Sequence, residues 1–163
     1  MNHAGYTHSP PRSHGVPAEL LRYLDGTDLL AKTQALRLST VDPAGWPHAS
    51  LLSAGDMLAL QSGRIRLAFL SGSASAQNLV RDGRLTLTVT LDGGMCELRL
   101  HARPIGPTPA DLPLALFEAQ AESARMHVAP YAVVTSGVTF ALDDPQTVLA
   151  RWRKQIEALR VAR

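Results

Sequence analysis

Cysteine is almost missing from this chain, and its scarcity excludes a good deal. Cys96 stands alone, so there is no intramolecular disulfide and no CxxC pair for metal or redox chemistry, and a reducing, cytoplasmic setting is expected. Long apolar runs are lacking too. None approaches the roughly 20 residues that cross a bilayer as a helix, and the opening stretch MNHAGYTHSPPRSHG has no apolar centre of a secretory signal, so no membrane partner is expected. Charge of one sign is scarce: 16 Lys and Arg against 14 Asp and Glu leave a net charge of +2. That balance gives little to attract nucleic acid, for which only Arg151, Arg153 and Lys154 form a basic cluster. Hydrolytic and metal motifs are likewise absent, with no GxSxG elbow, HExxH pair or EF-hand loop.

What is present fits one domain. With 163 residues and 45% apolar content, the chain can bury a single core of its own. Residues 1–16 are rich in Pro, Ser, Gly and His and read as a flexible tail, because such a composition buries too little apolar area to offset its ordering entropy. His3, His8 and His14 are spaced by five and six residues, which matches no common ligand motif on a helix or strand. Residues 17–163 form the folded domain. His48, His101 and His127 are scattered through it and read as surface or interface positions.

Hydrophobic periodicity orders the domain. Pro17 opens a short helix with Leu20, Leu21 and Leu24 at helical spacing, ending at Gly26, and Thr27 is placed to cap a second short helix over DLLAKTQ. From Ala35 the period becomes two: Leu36, Leu38 and Thr40 share one face, and the turn signal Asp42-Pro43-Ala44-Gly45 leads into a strand from Trp46 to Leu52. Residues 53–57 read as a bulge around Gly55. A strand follows with Ile65, Leu67 and Phe69 on one side. Ser73 then caps a helix over residues 74–81, and the Leu and Thr alternation of residues 85–91 makes the cleanest strand of the chain. A turn at Asp92-Gly93-Gly94 leads to a strand over residues 95–105. Beyond it the pattern predicts a helix over residues 110–127, with Leu112, Leu116, Ala119 and Ser123 as its buried stripe, and a last strand between Ala132 and Leu142. The C-terminal helix carries Leu149, Trp152, Ile156 and Leu159 at spacings of three and four, a stripe that reads as core packing. About six mostly antiparallel strands are too many for one flat meander and suggest a barrel.

The stretch SGSASAQNL holds the strongest chemical signal. A strand, small residues and a helix N-terminus in that order present backbone N–H groups and a positive dipole end to an anion such as phosphate. Hydroxyls of Ser71, Ser73 and Ser75 add donors, and Arg66 or Arg81 can supply charge.

The order of pieces over residues 35–102 resembles a known family. A strand, a D-x-x-G-x-P-H hairpin (Asp42, Gly45, Pro47, His48), a further strand, the Ser-rich loop, Asn78-Leu79 and RDGR (residues 81–84) before an alternating strand look like the FMN-binding split-barrel family related to pyridoxamine 5'-phosphate oxidase. The resemblance implies a mainly β (α+β) fold, a six-stranded antiparallel split barrel with flanking helices. It also implies a homodimer with FMN in the cleft between subunits and an oxidoreductase-like activity on a small molecule. Carried over by position, the cofactor-binding residues are Ser50, Leu51, Leu52 and Ser53 on the second strand, Phe69, Leu70 and Ser71 at the end of the next long strand, and Ser73, Ser75 and Gln77 on the loop and helix start. Asn78 is expected to fix the helix start. The chain departs from the family at the cations: Ser50, Gly55, Ala74 and Ser75 stand where basic residues are expected. A phosphate dianion held only by neutral donors is poorly compensated. The alternative reading is therefore a non-catalytic or differently liganded split barrel that takes haem or a deazaflavin, with His48 or His101 as the imidazole for haem.

Overall fold

A computed structural model describes residues 14–163. The expected tail, residues 1–16, lies almost wholly outside them, as do His3 and His8. Val16, where it would end, is half-buried against the core.

Among the described residues three α-helices flank one sheet: α1 (Ala18–Tyr23), α2 (Ala74–Arg81) and α3 (Pro145–Val161). The sheet has seven strands, β1 (Leu36–Val41), β2 (Pro47–Leu52), β3 (Met57–Ala59), β4 (Ile65–Leu70), β5 (Arg84–Leu91), β6 (Gly94–Ile105) and β7 (Leu114–His127), in the order β2-β1-β5-β6-β7-β4-β3 with every pairing antiparallel. It is curled. Helix α2 packs against β1 and β2 near one edge and against β4 near the other, and the edge strands β2 and β3 are joined by only residues 53–56. The mainly β, antiparallel architecture with flanking helices agrees with the sequence reading, and the strand count is corrected from six to seven.

Local chemistry accounts for the elements that were legible. Asp42 Oδ1 accepts from the Ala44 and Trp46 amides at 2.9 and 2.8 Å, closing the β1–β2 hairpin, and Gly45 takes φ 86° there, a conformation costly for any other residue. Ser73 accepts from the Ala76 amide at 3.3 Å and starts α2, while Asp144 caps α3 through the Thr147 amide at 3.2 Å, with Pro145 in the first turn. Trp152, Ile156 and Leu159 are buried against the sheet, as their spacing required.

Two long elements differ from expectation. The helix expected over residues 110–127 is strand β7, which fills the gap between β6 and β4 and pairs with both. Its sequence misleads for two reasons. Phe117 and Ala119 face the barrel interior opposite Leu67 and Ile65, whereas Leu116 and Glu118 lie on the face where Arg66 reaches the C-terminal carbonyls of α3. With both faces covered, a strand loses its period-two signature. In addition, Arg99 pairs with Ser123 and Leu100 with Ala121, so Glu122 is an extra residue in a bulge that shifts the alternation midway. Tertiary pairing thus overrides the helix propensity of an Ala-, Glu- and Leu-rich stretch.

The expected strand between Ala132 and Leu142 is instead an irregular strap. It holds on by bonds from the Val134 amide to the Gly93 carbonyl (2.7 Å), from Ala35 to Val138 (2.8 Å) and from Phe140 to Thr33 (3.1 Å). Its partner edge at residues 33–35 is too short for a ladder. The second helix expected over DLLAKTQ shrinks to a single 3₁₀ turn, Leu29–Ala31, and Thr27 does not cap it. Both its amide and its hydroxyl bond Asp25 Oδ1 at 2.8 Å.

Candidate functional site

Helix α2 is where the expected phosphate loop lies. In its first turn the Ala74 and Ser75 amides have no helical carbonyl to reach, the ordinary condition of a helix N-terminus. The Ser75 hydroxyl, buried, donates to Ser50 Oγ at 3.2 Å. That bond ties the helix start to the middle of β2. Deeper in the helix, Asn78 does not bond the helix start: its Nδ2 donates to buried Thr40 on β1 at 3.0 Å, and its Oδ1 accepts from Arg81 at 3.1 Å. Helix α2 is therefore anchored on two strands, at its start on β2 and at its middle on β1.

The other carried-over residues are dispersed in role. Phe69 is buried in the core with its ring edge-on to Phe117 at 5.8 Å, so only its backbone is near the loop. Leu70 and Ser71 are exposed, and the Ser71 amide is bonded to the Pro113 carbonyl at 2.8 Å. Gln77 turns back to the Gly72 carbonyl at 3.0 Å. On β2, Leu51 is exposed and Leu52 half-buried. Ser53 is buried, and both its amide and its hydroxyl bond Asp56 Oδ2, at 2.8 and 2.6 Å. Ser50, Ser73 and Ser75 thus come together, while Ser53 is committed to a turn.

The structure also locates the arginines that the sequence offered as substitute cations. Arg66 bonds Glu118 Oε2 at 3.1 Å and the Leu159 and Arg160 carbonyls at 2.7 and 3.2 Å. Arg81 serves Asn78 and the Val41 carbonyl, and Arg99 pairs with Glu97 at 3.4 Å. Each is engaged away from the first turn of α2. The residues at that turn suit an anion in geometry and polarity, and they lack a charged partner for a phosphate dianion.

The histidines divide similarly. His48 is half-buried on β2 opposite Thr40. His101 is exposed on β6 opposite Arg84, with its ring against Gly83. His127 Nε2 lies 3.1 Å from Glu97 Oε2. Among the described residues no three His, Cys, Asp or Glu side chains gather as a metal centre, and no helix is long and apolar enough to cross a membrane. Cys96 is fully buried, and burial, with a smaller push from Glu97, raises its thiol pKa to about 11. It is a core residue rather than a nucleophile.

Sequence reasoning gave no role to the junction of β2, β3 and α3. Gln155, buried on α3, donates to the Gly55 carbonyl at 3.1 Å and to Asp56 Oδ1 at 2.8 Å. Asp56 thereby uses both oxygens to bind the residues 53–56 turn to the helix. Beside it, a cavity of about 290 Å³ is lined by the end of β2, the strap and α3. Nothing in the spacing of Asp56 and Gln155, about a hundred residues apart, signals this contact.

No protein-family model matches the chain. Over 143 residues it is 36% identical to Uncharacterized protein YclD of Bacillus subtilis (strain 168), a match covering 86% of this chain and 93% of the relative. The chain belongs to the family of YclD. Its fold is shared by a solved structure from Lactobacillus delbrueckii, a candidate pyridoxamine 5'-phosphate oxidase, at TM-score 0.52 and 14% identity over 69% of this chain and 94% of that one. The YclD-family chain therefore has the split-barrel fold of the pyridoxamine 5'-phosphate oxidase-like proteins, in line with the resemblance read from residues 35–102. The heme storage protein HutZ of Vibrio cholerae is more loosely similar, with TM-score 0.48 and 14% identity over 66% of this chain and 91% of that one.

Proposed function

We propose that this chain is a cofactor-binding split barrel of the oxidoreductase type, which takes FMN at the junction of β2 with the start of α2 and acts as a homodimer on a small molecule. The observation that carries the reading is the 3.2 Å contact between Ser75 and Ser50. It joins the strand and the loop that the resemblance assigns to the cofactor, beside the unpaired amides of a helix N-terminus. FMN, when bound, supplies the hydride or electron transfer; the protein binds and orients it. Ser73, through its hydroxyl, and the Ala74 and Ser75 amides hold the phosphate, while the bond from the Ser75 hydroxyl to Ser50 steadies the loop. Because no arginine or lysine stands at this turn, the phosphate grip is weaker than one built on cations.

Titration with FMN and with riboflavin, read by flavin fluorescence, tests this. FMN is expected to bind in the micromolar range and more tightly than riboflavin, and Ser75→Ala is expected to shrink that difference several-fold. No quench up to high micromolar FMN sinks the flavin reading. The missing cation favours one second reading, a barrel that takes a planar ligand other than FMN, haem or a deazaflavin among them. A Soret band on adding haem, lost in His48→Ala or His101→Ala, would distinguish that case.

A further inference from the structure

Between α1 and β1 the chain makes a tight loop against α3. Gly26 lies so close to that helix that a Cβ would sit 2.9 Å from Ile156 Cγ2, and Leu29 is buried in the core. One carboxylate oxygen ties the loop together: Asp25 Oδ1 accepts from the Thr27 amide and hydroxyl, each at 2.8 Å, and from Lys32 Nζ at 2.7 Å. Held at both ends, the loop curves around a cavity of about 470 Å³, with residues 26–31 on one side and Leu149 and Arg153 of α3 on the other. That volume is within the usual range for small-molecule sites.

Two charges on this lining stand unused. Asp28 and Arg153 are exposed, and neither has an ion-pair partner among the described residues. The counter-charges that could have served them are engaged elsewhere. Lys32, the basic residue nearest Asp28 in sequence, is taken by Asp25 at 2.7 Å, and Glu157, one helical turn beyond Arg153, is taken by Arg160 at 2.9 Å. Most of the remaining lining is apolar: Leu29, Ala31, half-buried Leu149, and Leu30, which is 36% exposed. A preformed cavity with aliphatic walls and one open charge of each sign matches a molecule that carries a cation and an anion on an aliphatic body. Because the loop is already fixed by its own bonds, little ordering cost is left for binding to meet.

We propose that this cavity binds a free amino acid with an aliphatic body. Its ammonium pairs with Asp28, its carboxylate pairs with Arg153, and its carbon chain lies on Leu30 and Leu149. The lining includes no residue assigned to FMN and none of the exposed strap, so the site stands apart from the cofactor reading and is tested without flavin.

Titration of the full chain, followed by NMR shifts of its own amides, tests this at residues 26–31 and 149–153 directly. L-leucine and 6-aminohexanoate serve as the zwitterions, with charges adjacent in the first and a chain apart in the second; hexanoate and hexylamine are their singly charged counterparts. At least one zwitterion is expected to move those amides saturably, with a dissociation constant of about 1 mM, the weak affinity that solvent-exposed ion pairs support. Which of the two binds more tightly gives the spacing between the charges. Asp28→Asn and Arg153→Gln are each expected to weaken that zwitterion about threefold to fivefold. Asn suits the left-handed conformation that Asp28 adopts at φ 48°, and both side chains are exposed, so both variants are expected to melt with the wild type. Absence of a saturable shift for either zwitterion in the tens of millimolar overturns the proposal. So does binding that survives both substitutions, or a singly charged counterpart that binds as tightly. A flavin titration that fails while a zwitterion binds removes the cofactor reading and leaves this one standing.

Discussion

Glu118 pairs with more opposite charges than any other group among the described residues. It is 6% exposed and bonded by three arginines: Arg64 (3.0 Å) and Arg103 (2.8 Å) on Oε1, and Arg66 (3.1 Å) on Oε2. Burial alone would raise its pKa, but the bonds from Arg66 and Arg103 outweigh it and leave the carboxyl below its ordinary value. A depressed folded-state pKa means stability that is present above the unfolded-state value and is lost as pH falls through the folded one. Glu118→Gln should destabilise the protein by about 2–3 kcal/mol at neutral pH, somewhat less than for a fully enclosed pair because Arg64 and Arg103 can rehydrate. Chemical denaturation across pH should show that gap closing once pH drops below the carboxylate range. A gap that persists at low pH would mean that packing, not charge, sets the cost. None of this was legible in the sequence, where Glu118 sits in a stretch with a helical pattern and its arginines are up to 54 residues away.

At the scale of elements, legibility followed the number of covered faces. Strands β1 and β5, with one face toward solvent, alternate cleanly, and α3 shows its stripe; all three were readable. Strand β7 was not, because it is covered on both faces around residues 116–119 and carries a bulge at Glu122. The candidate site divides in the same way. The Ser73 cap is local and was legible, whereas the Ser50–Ser75 and Asp56–Gln155 contacts are between distant segments and were not. The β2–β3 connection to α3 depends on Gly55 having no side chain, since a Cβ would lie 2.1 to 2.4 Å from three atoms of the Trp152 ring. Gly55→Ala should therefore push Trp152 out of place and cost about 2–3 kcal/mol, in the upper range for overpacking. Thermal melting measures the loss, and near-UV circular dichroism of Trp152 in a Trp46→Phe background reports the displacement. An unshifted melt with an unchanged tryptophan signal would mean that the helix can retreat from the turn without penalty.

At the scale of the whole molecule, several large apolar side chains among the described residues stand open to solvent. Trp46 (72%), Tyr131 (78%) and Val133 (72%) are largely exposed, as are Leu51, Val128 and Val138 in lesser degree. Scattered exposed side chains are ordinary, but Val128, Tyr131, Val133 and Val138 belong to one strap or its approach, and Leu51 and Val138 both line the cavity beside it. Strand β2 adds an unprotected sheet edge whose outward residues Pro47, Ala49 and Leu51 are uncharged, where solitary proteins tend to place charge. A second copy covering this surface would remove both liabilities and would form the shared cleft on which the proposed cofactor site depends. Sedimentation at micromolar concentration should give twice the chain mass, and melting temperature should rise with protein concentration, as mass action requires of a dimer that is more stable than its parts. Tyr131→Ser combined with Val133→Ser should shift the species toward monomer while leaving the fold's circular dichroism intact, since neither side chain is part of the buried core. A wild-type chain that sediments as a monomer throughout that range would remove the intersubunit cleft, and FMN binding would then have to be accounted for within a single barrel.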